Sequence, residues 1–98
     1  MTHTVDVDGT EEELLARQAA FDGARVLEIG CGDGRATKRY ARRARSVLAI
    51  DPKAQSIAVA IASLPADLAA VVQFEVGDAR HVPRRPASFD VVFFSHSL

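Results

Sequence analysis

Residues 26–34, "VLEIGCGDG", constrain the fold of this chain more than any other stretch. An apolar run interrupted by one acid, Glu28, ends in glycines at every second position: Gly30, Gly32 and Gly34. A short apolar run closed by turn residues reads as a buried strand, predicted here over residues 24–29. Glycine supplies the positive φ and the close backbone approach that a tight exit from a strand needs. Behind the turn, Ala36, Tyr40, Ala41 and Ala44 fall at helical spacing and predict a helix over residues 35–45. Strand, glycine turn and helix together begin a βαβ unit.

The same alternation continues. Strands are predicted over residues 47–50, 71–76 and 89–94, the last being "FDVVFF", apolar almost throughout as in a strand covered on both faces. Between the first two lies a helix over residues 53–64, opened by Asp51-Pro52, because proline at a first helical position lacks only an N–H that has no partner there. Pro65 and Asp67 break the alanine-rich run that follows and leave open whether residues 66–70 resume as a helical turn. Residues 81–86 hold two prolines and two arginines and form a loop. Upstream, Thr10 and Glu13 make a capping box for a helix over residues 11–21, stopped by Asp22-Gly23. Strands alternating with helices argue an α/β fold, a three-layer αβα sandwich on a parallel sheet with helices on both faces. At 98 residues, 48% hydrophobic and 26% charged, the chain is one domain, with an N-terminal arm and helix at residues 1–23 and a βα core at 24–98.

A formal net charge of −1 provides no general attraction to nucleic acid or to an acidic membrane. The basic run from Lys38 to Arg45 reads as a solvated helix face rather than a nucleic-acid patch. No apolar stretch of about 18 residues spans a membrane and no export segment opens the chain, so the expected location is cytoplasmic. The single cysteine, Cys31, fits a reducing compartment and reads as a small loop residue rather than a nucleophile. His81 and His96 have no second ligand at metal spacing, so no metal site is expected. His3 is placed in a mobile terminus.

In a parallel α/β sheet the ligand sits outside the carboxyl ends of the strands. Glu28 and Gly30, Asp51, Asp78, and Ser95 with His96 stand at four such ends. Asp51 follows the first glycine at about the 20-residue spacing of an acid that accepts from ribose hydroxyls. A dinucleotide fingerprint, G-x-G-x-x-G, is one reading of the turn, which would make the chain a nicotinamide-dependent oxidoreductase. Against it, the third glycine comes one residue too early and Asp33 would face a pyrophosphate. A ligand with an ammonium and a sulfonium suits Glu28 and Asp33 better.

These motifs resemble those of the class I S-adenosylmethionine-dependent methyltransferases. "VLEIGCGDG" resembles the family's E/D-x-G-x-G-x-G motif, "LAIDP" its second acidic strand end, "VGDAR" its adenine-contacting strand end, and "FDVVFFSHSL" its fourth strand. The resemblance runs from about residue 24 to residue 98. It implies a parallel sheet in the order 3-2-1-4, incomplete relative to the seven-stranded family fold, and S-adenosylmethionine as cofactor. By the same resemblance the backbone of Ile29, Gly30, Cys31, Gly32 and Gly34 would hold the methionine part and Glu28 would orient it. Asp51 would take the ribose hydroxyls, Ile50 and Pro52 would flank the adenine, and Asp78 with the Ala79 N–H would read its edge. Ser95 would lie near the sulfonium. His96 is the candidate base toward a small-molecule methyl acceptor.

Because the family continues past its fourth strand, "FDVVFF" is expected to be an open edge here, suited to pairing with a second copy or a partner subunit. A module that binds or regulates a complete enzyme through that edge is the non-enzymatic alternative.

Overall fold

The computed structural model describes residues 3–6, 19–80, 82 and 88–95. Five parallel strands form one sheet: β1 (His3–Asp6), β2 (Arg25–Ile29), β3 (Ser46–Asp51), β4 (Val72–Val76) and β5 (Val91–Phe94), in the spatial order β1-β5-β2-β3-β4. Among the described residues two α-helices, α1 (Arg35–Tyr40) and α2 (Ala54–Ala62), link β2 to β3 and β3 to β4. Residues 66–68 do resume as a helical turn, of the tighter 3₁₀ kind, and another such turn, Ala19–Phe21, precedes β2. It stands at the end of the helix expected over residues 11–21; the rest of that helix and its capping box lie outside the described residues. So does most of the 81–86 loop.

The four strands expected from the apolar runs take the expected 3-2-1-4 order, which is β4-β3-β2-β5 in the numbering used here. The interior strands β2 and β3 are almost wholly buried, whereas β4, at one edge, exposes Gln73 and Val76. Interior parallel strands are covered on both faces, so their sequences run apolar without alternation.

The expectation of an open edge at the fourth strand is overturned. β1 pairs with β5 in parallel, His3 with Val91 through Asp6 with Phe94, so the apolar strand lies inside the sheet. The segment around His3, read as a mobile polar terminus, is a strand. An edge strand is held by its backbone N–H and C=O groups, and that pairing asks for no apolar run of its own.

Helix α1 stops at Tyr40, five residues before the end its periodicity suggested. The N–H groups of Arg43 and Ala44 reach back three residues, to Tyr40 and Ala41, rather than four. The Arg43 carbonyl accepts from Gly23 at 2.8 Å, and Arg45 donates to Ala24 at 2.8 Å. The chain is thus drawn into the turn before β2, and tertiary bonds replace the last turn of helix.

Both described α-helices pack on one face of the sheet; a helix on the other face, expected for the three-layer sandwich, is not among the described residues. On the helix side Val26, Ala49, Phe74 and Phe93 meet Tyr40, Ala41, Ile57 and Ala60 in one buried cluster. The opposite face carries Leu27, Leu48 and Ile50, with Phe89 and half-buried Val82 against them among the described residues. No described helix is long and apolar enough to cross a membrane.

Candidate functional site

The carboxyl ends of β2, β3 and β5 are tied to one another by hydrogen bonds. The N–H groups of Gly30 and Cys31 both donate to the Ile50 carbonyl, at 2.8 and 3.0 Å, and Ser95 N–H donates to Ile29 at 3.0 Å. Gly77, just beyond β4, donates to the Asp51 carbonyl at 3.0 Å. The four strand ends singled out in the sequence therefore meet in one place.

Asp51 is buried and holds the centre. Its Oδ2 accepts from Gly32 N–H and its Oδ1 from Lys53 N–H, each at 2.9 Å. A carboxylate offers about four lone-pair positions, so two remain on a side chain whose orientation is already fixed. Asp78 is half-buried, with Oδ1 accepting from Arg80 N–H at 2.9 Å. Pro52 and Ala79 are exposed beside these acids, whereas Ile50 is fully buried and turns its side chain into the second core cluster, on the face of the sheet opposite Glu28 and Asp51.

Glu28 projects from β2 into the helix side of the sheet and is completely buried. Its Oε1 accepts from Thr37 Oγ1 at 2.6 Å and from the Tyr40 hydroxyl at 2.7 Å. Its Oε2 is buried and makes no hydrogen bond. Burial pushes the Glu28 pKa up, and the hydroxyls of Thr37, Tyr40 and Ser95 oppose that shift by favouring the charged form. Sequence reasoning placed Tyr40 on the apolar face of its helix and gave Thr37 no part. The signal was there: Glu28 alternates with Val26 onto a buried face, and Thr37 and Tyr40, three apart, share one side of the next helix.

The three glycines serve different ends. All have positive φ, +81° at Gly30, +55° at Gly32 and +85° at Gly34. A Cβ on Gly30 would stand 2.7 Å from the Ser95 carbonyl oxygen, and one on Gly34 would meet Phe74 at 3.0 Å and Ala60 at 3.3 Å. Gly30 and Gly34 are therefore demanded by the protein's own close packing, not by the approach of a ligand alone. Cys31 is buried between them, its thiol pushed up to about 12 by burial and by the nearby Glu28, Asp51 and Asp33 carboxylates. Burial and the surrounding acids thus oppose formation of its thiolate.

The N–H groups of Gly30, Cys31, Gly32 and Gly34 are engaged within the protein. Those of Gly30 and Cys31 bind Ile50, that of Gly32 binds Asp51, and that of Gly34 donates to Cys31 at 3.0 Å. Arg35 N–H, at the start of α1, donates to Asp33 Oδ1 at 3.2 Å. A carboxylate thus already fills the place that a pyrophosphate takes at the helix start of a dinucleotide site. What the loop and its neighbours carry instead are acids: Asp33, Asp51 and Asp78, with Glu28 buried beneath them.

A family model described as "Methyltransferase domain" matches residues 26–98. The chain belongs to the S-adenosylmethionine-dependent methyltransferase family. Among curated relatives of this chain, the magnesium-protoporphyrin O-methyltransferase of Rhodobacter capsulatus is 45% identical over 56 residues, covering 57% of this chain and 25% of the relative. The malonyl-[acyl-carrier protein] O-methyltransferase of Pectobacterium atrosepticum is 30% identical over 82 residues, covering 84% and 30%. Among solved structures, the methyltransferase from Thiobacillus denitrificans in complex with S-adenosyl-L-homocysteine superposes with a TM-score of 0.66 at 28% identity, covering 90% of this chain and 37% of that one. The chain thus spans well under half the length of each of these proteins.

The residues of this chain fit the family's cofactor. An unpartnered buried carboxylate oxygen at Glu28 suits an ammonium, and the remaining lone pairs of Asp51 suit two vicinal hydroxyls. His96 lies outside the described residues. Among the described residues, no group of three or more histidines, cysteines or acids is placed to hold a metal. A separate groove of about 320 Å³ runs between the starts of β3 and β4 beside Phe89, at the opposite end of the strands from these acids.

Proposed function

We propose that the crevice at the carboxyl ends of β2, β3, β4 and β5 binds S-adenosylmethionine for transfer of its methyl group to an oxygen of a small-molecule acceptor. The observation that carries this reading is the polarity of the first loop: the N–H groups of Gly30, Cys31, Gly32 and Gly34 are engaged internally, and the carboxylates of Asp33, Asp51 and Asp78 stand at the strand ends around it. Such a site attracts a cationic ligand bearing hydroxyls and repels a diphosphate, which separates it from a nicotinamide site. When bound, the cofactor supplies an electrophilic methyl carbon on its sulfonium.

Glu28 receives the amino group and the backbone of Ile29, Gly30, Cys31, Gly32 and Gly34 runs alongside the methionine part. Asp51 accepts from both ribose hydroxyls, its carboxylate being held in place beforehand by the N–H groups of Gly32 and Lys53. Pre-orienting the acceptor removes an ordering cost that binding would otherwise meet. Pro52 covers one side of the adenine. Asp78 accepts from its amino group, and the Ala79 N–H donates to the ring. Ser95 stands toward the sulfonium, and His96, next in sequence, takes a proton from an acceptor hydroxyl. The two curated relatives described above carry the name O-methyltransferase, which is the support for an oxygen acceptor.

Calorimetric titration of the chain with S-adenosylhomocysteine tests the reading. Binding is expected, with a loss of at least about tenfold in Asp51→Ala, the scale of hydrogen bonds to a charged group. Absence of binding by the unaltered chain, or a thermal shift with NAD in its place, overturns it.

A further inference from the structure

A buried carboxylate reaches its lowest energy when donors are shared between its two oxygens. Glu28 is arranged otherwise. Both hydroxyls of α1, from Thr37 and Tyr40, converge on Oε1, and Oε2 is buried and makes no hydrogen bond, although the Ser95 hydroxyl at the end of β5 stands near enough to favour the charged carboxylate. Neither hydroxyl is free to redistribute. The Tyr40 ring is stacked on Phe21 with centroids 4.4 Å apart and meets Phe93 edge-on at 5.4 Å, so its hydroxyl has one position. Thr37 is fully buried and β-branched on a helix, where its χ1 is restricted.

We infer that Thr37 and Tyr40 are positioning residues for the cofactor's amino-acid end, holding Glu28 by one oxygen so that the other meets the ligand's ammonium. This inference rests on the cofactor reading above and goes beyond it. Glu28 alone, with its carboxylate free to rotate, would turn an edge of arbitrary orientation toward the ligand. With Oε1 tethered from α1, the side chain keeps its charged form through two short hydrogen bonds and keeps Oε2 for a third donor. Burial holds the Tyr40 phenol well above its usual range, so it remains a donor at every pH at which the fold is used. The device also links helix to site: α1 contributes no loop residue to the crevice, yet two of its side chains set the geometry of a β2 acid.

Two ligands separate this role from general support of the fold. S-adenosylhomocysteine carries the amino acid, and 5′-methylthioadenosine has the same nucleoside and sulfur without it. The chain is expected to bind the first more tightly than the second. Tyr40→Phe, which keeps the ring stack, and Thr37→Val, which keeps the shape, are each expected to weaken S-adenosylhomocysteine by about tenfold and leave methylthioadenosine unchanged. Thr37→Ser, which restores a hydroxyl, is expected to restore the affinity. Equal losses for both ligands, or no loss for either, overturn the positioning role while leaving the cofactor reading in place. If the unaltered chain binds neither ligand, the cofactor reading itself falls. A thermal midpoint measured on each variant identifies any that has lost its fold, and the Thr37→Ser comparison then decides.

Discussion

At the scale of single residues, the glycines of the first loop separate backbone need from steric need. Gly23 and Gly30 both have positive φ, +68° and +81°, but a Cβ on Gly23 meets nothing within 4 Å while one on Gly30 meets a backbone oxygen at 2.7 Å. Gly23→Ala is expected to cost about 1 kcal/mol, the left-handed penalty alone. Gly30→Ala adds a contact that only movement of the Ser95 backbone relieves, and is expected to cost about 3 kcal/mol or more. Urea denaturation of the two variants measures the difference; equal losses would mean that the β5 end gives way freely. The motif's spacing was legible in the sequence, and so were Glu28, Asp51 and Asp78 as strand-end acids. The reason for Gly30 was not, because its neighbour Ser95 is 65 residues away. Nor was the burial of Ile50, since a residue at a strand end has either a core side or a ligand side according to its register.

Among elements, the strands with apolar runs were legible because interior parallel strands must be covered on both faces. Helix α1 was legible in its start and not in its end, which is set by bonds from residues 23 and 24 rather than by its own periodicity. Pairing of β5 with β2 carries a fastening that sequence alone did not suggest. Asp90, just before β5, accepts from the Arg25 backbone N–H at 2.9 Å and from its guanidinium at 3.1 and 3.0 Å. These bonds hold the Asp90 carboxyl down at about 2, below its ordinary 3.8. A carboxyl whose folded value is depressed contributes stability that is present above its unfolded value and lost as pH falls through the folded one. The part of the acid sensitivity owed to this clasp is therefore expected between about pH 3.8 and pH 2, and to be missing in Asp90→Asn, whose urea midpoint is already lower at pH 7. Denaturation curves at a series of acid pH values check it, and parallel curves for the two proteins would assign the clasp no role.

For the molecule as a whole, the least legible feature is β1, because "HTVD" offers backbone pairing and little hydrophobic pattern. Its position matters more than its composition. β5 carries Val91 and Phe93 toward the helix-side core and half-buried Val92 and Phe94 toward the other face, and without β1 one side of this apolar strand would present unpaired N–H and C=O groups. Such an edge recruits other chains, and natural sheets blunt it with short or polar strands. β1 is both: four residues long, and polar at three of its four positions. Removing residues 1–6 leaves β2, β3 and β4 paired as before and exposes β5 alone. The truncated chain is therefore expected to associate in a concentration-dependent way while the full chain does not, and adding a peptide of residues 1–8 in excess is expected to reverse the association by restoring the pairing. Sedimentation velocity over a range of concentrations reads both results. A truncated chain that stays monomeric throughout would show that the edge of β5 needs no cover, and that β1 is an attachment to the sheet rather than its guard.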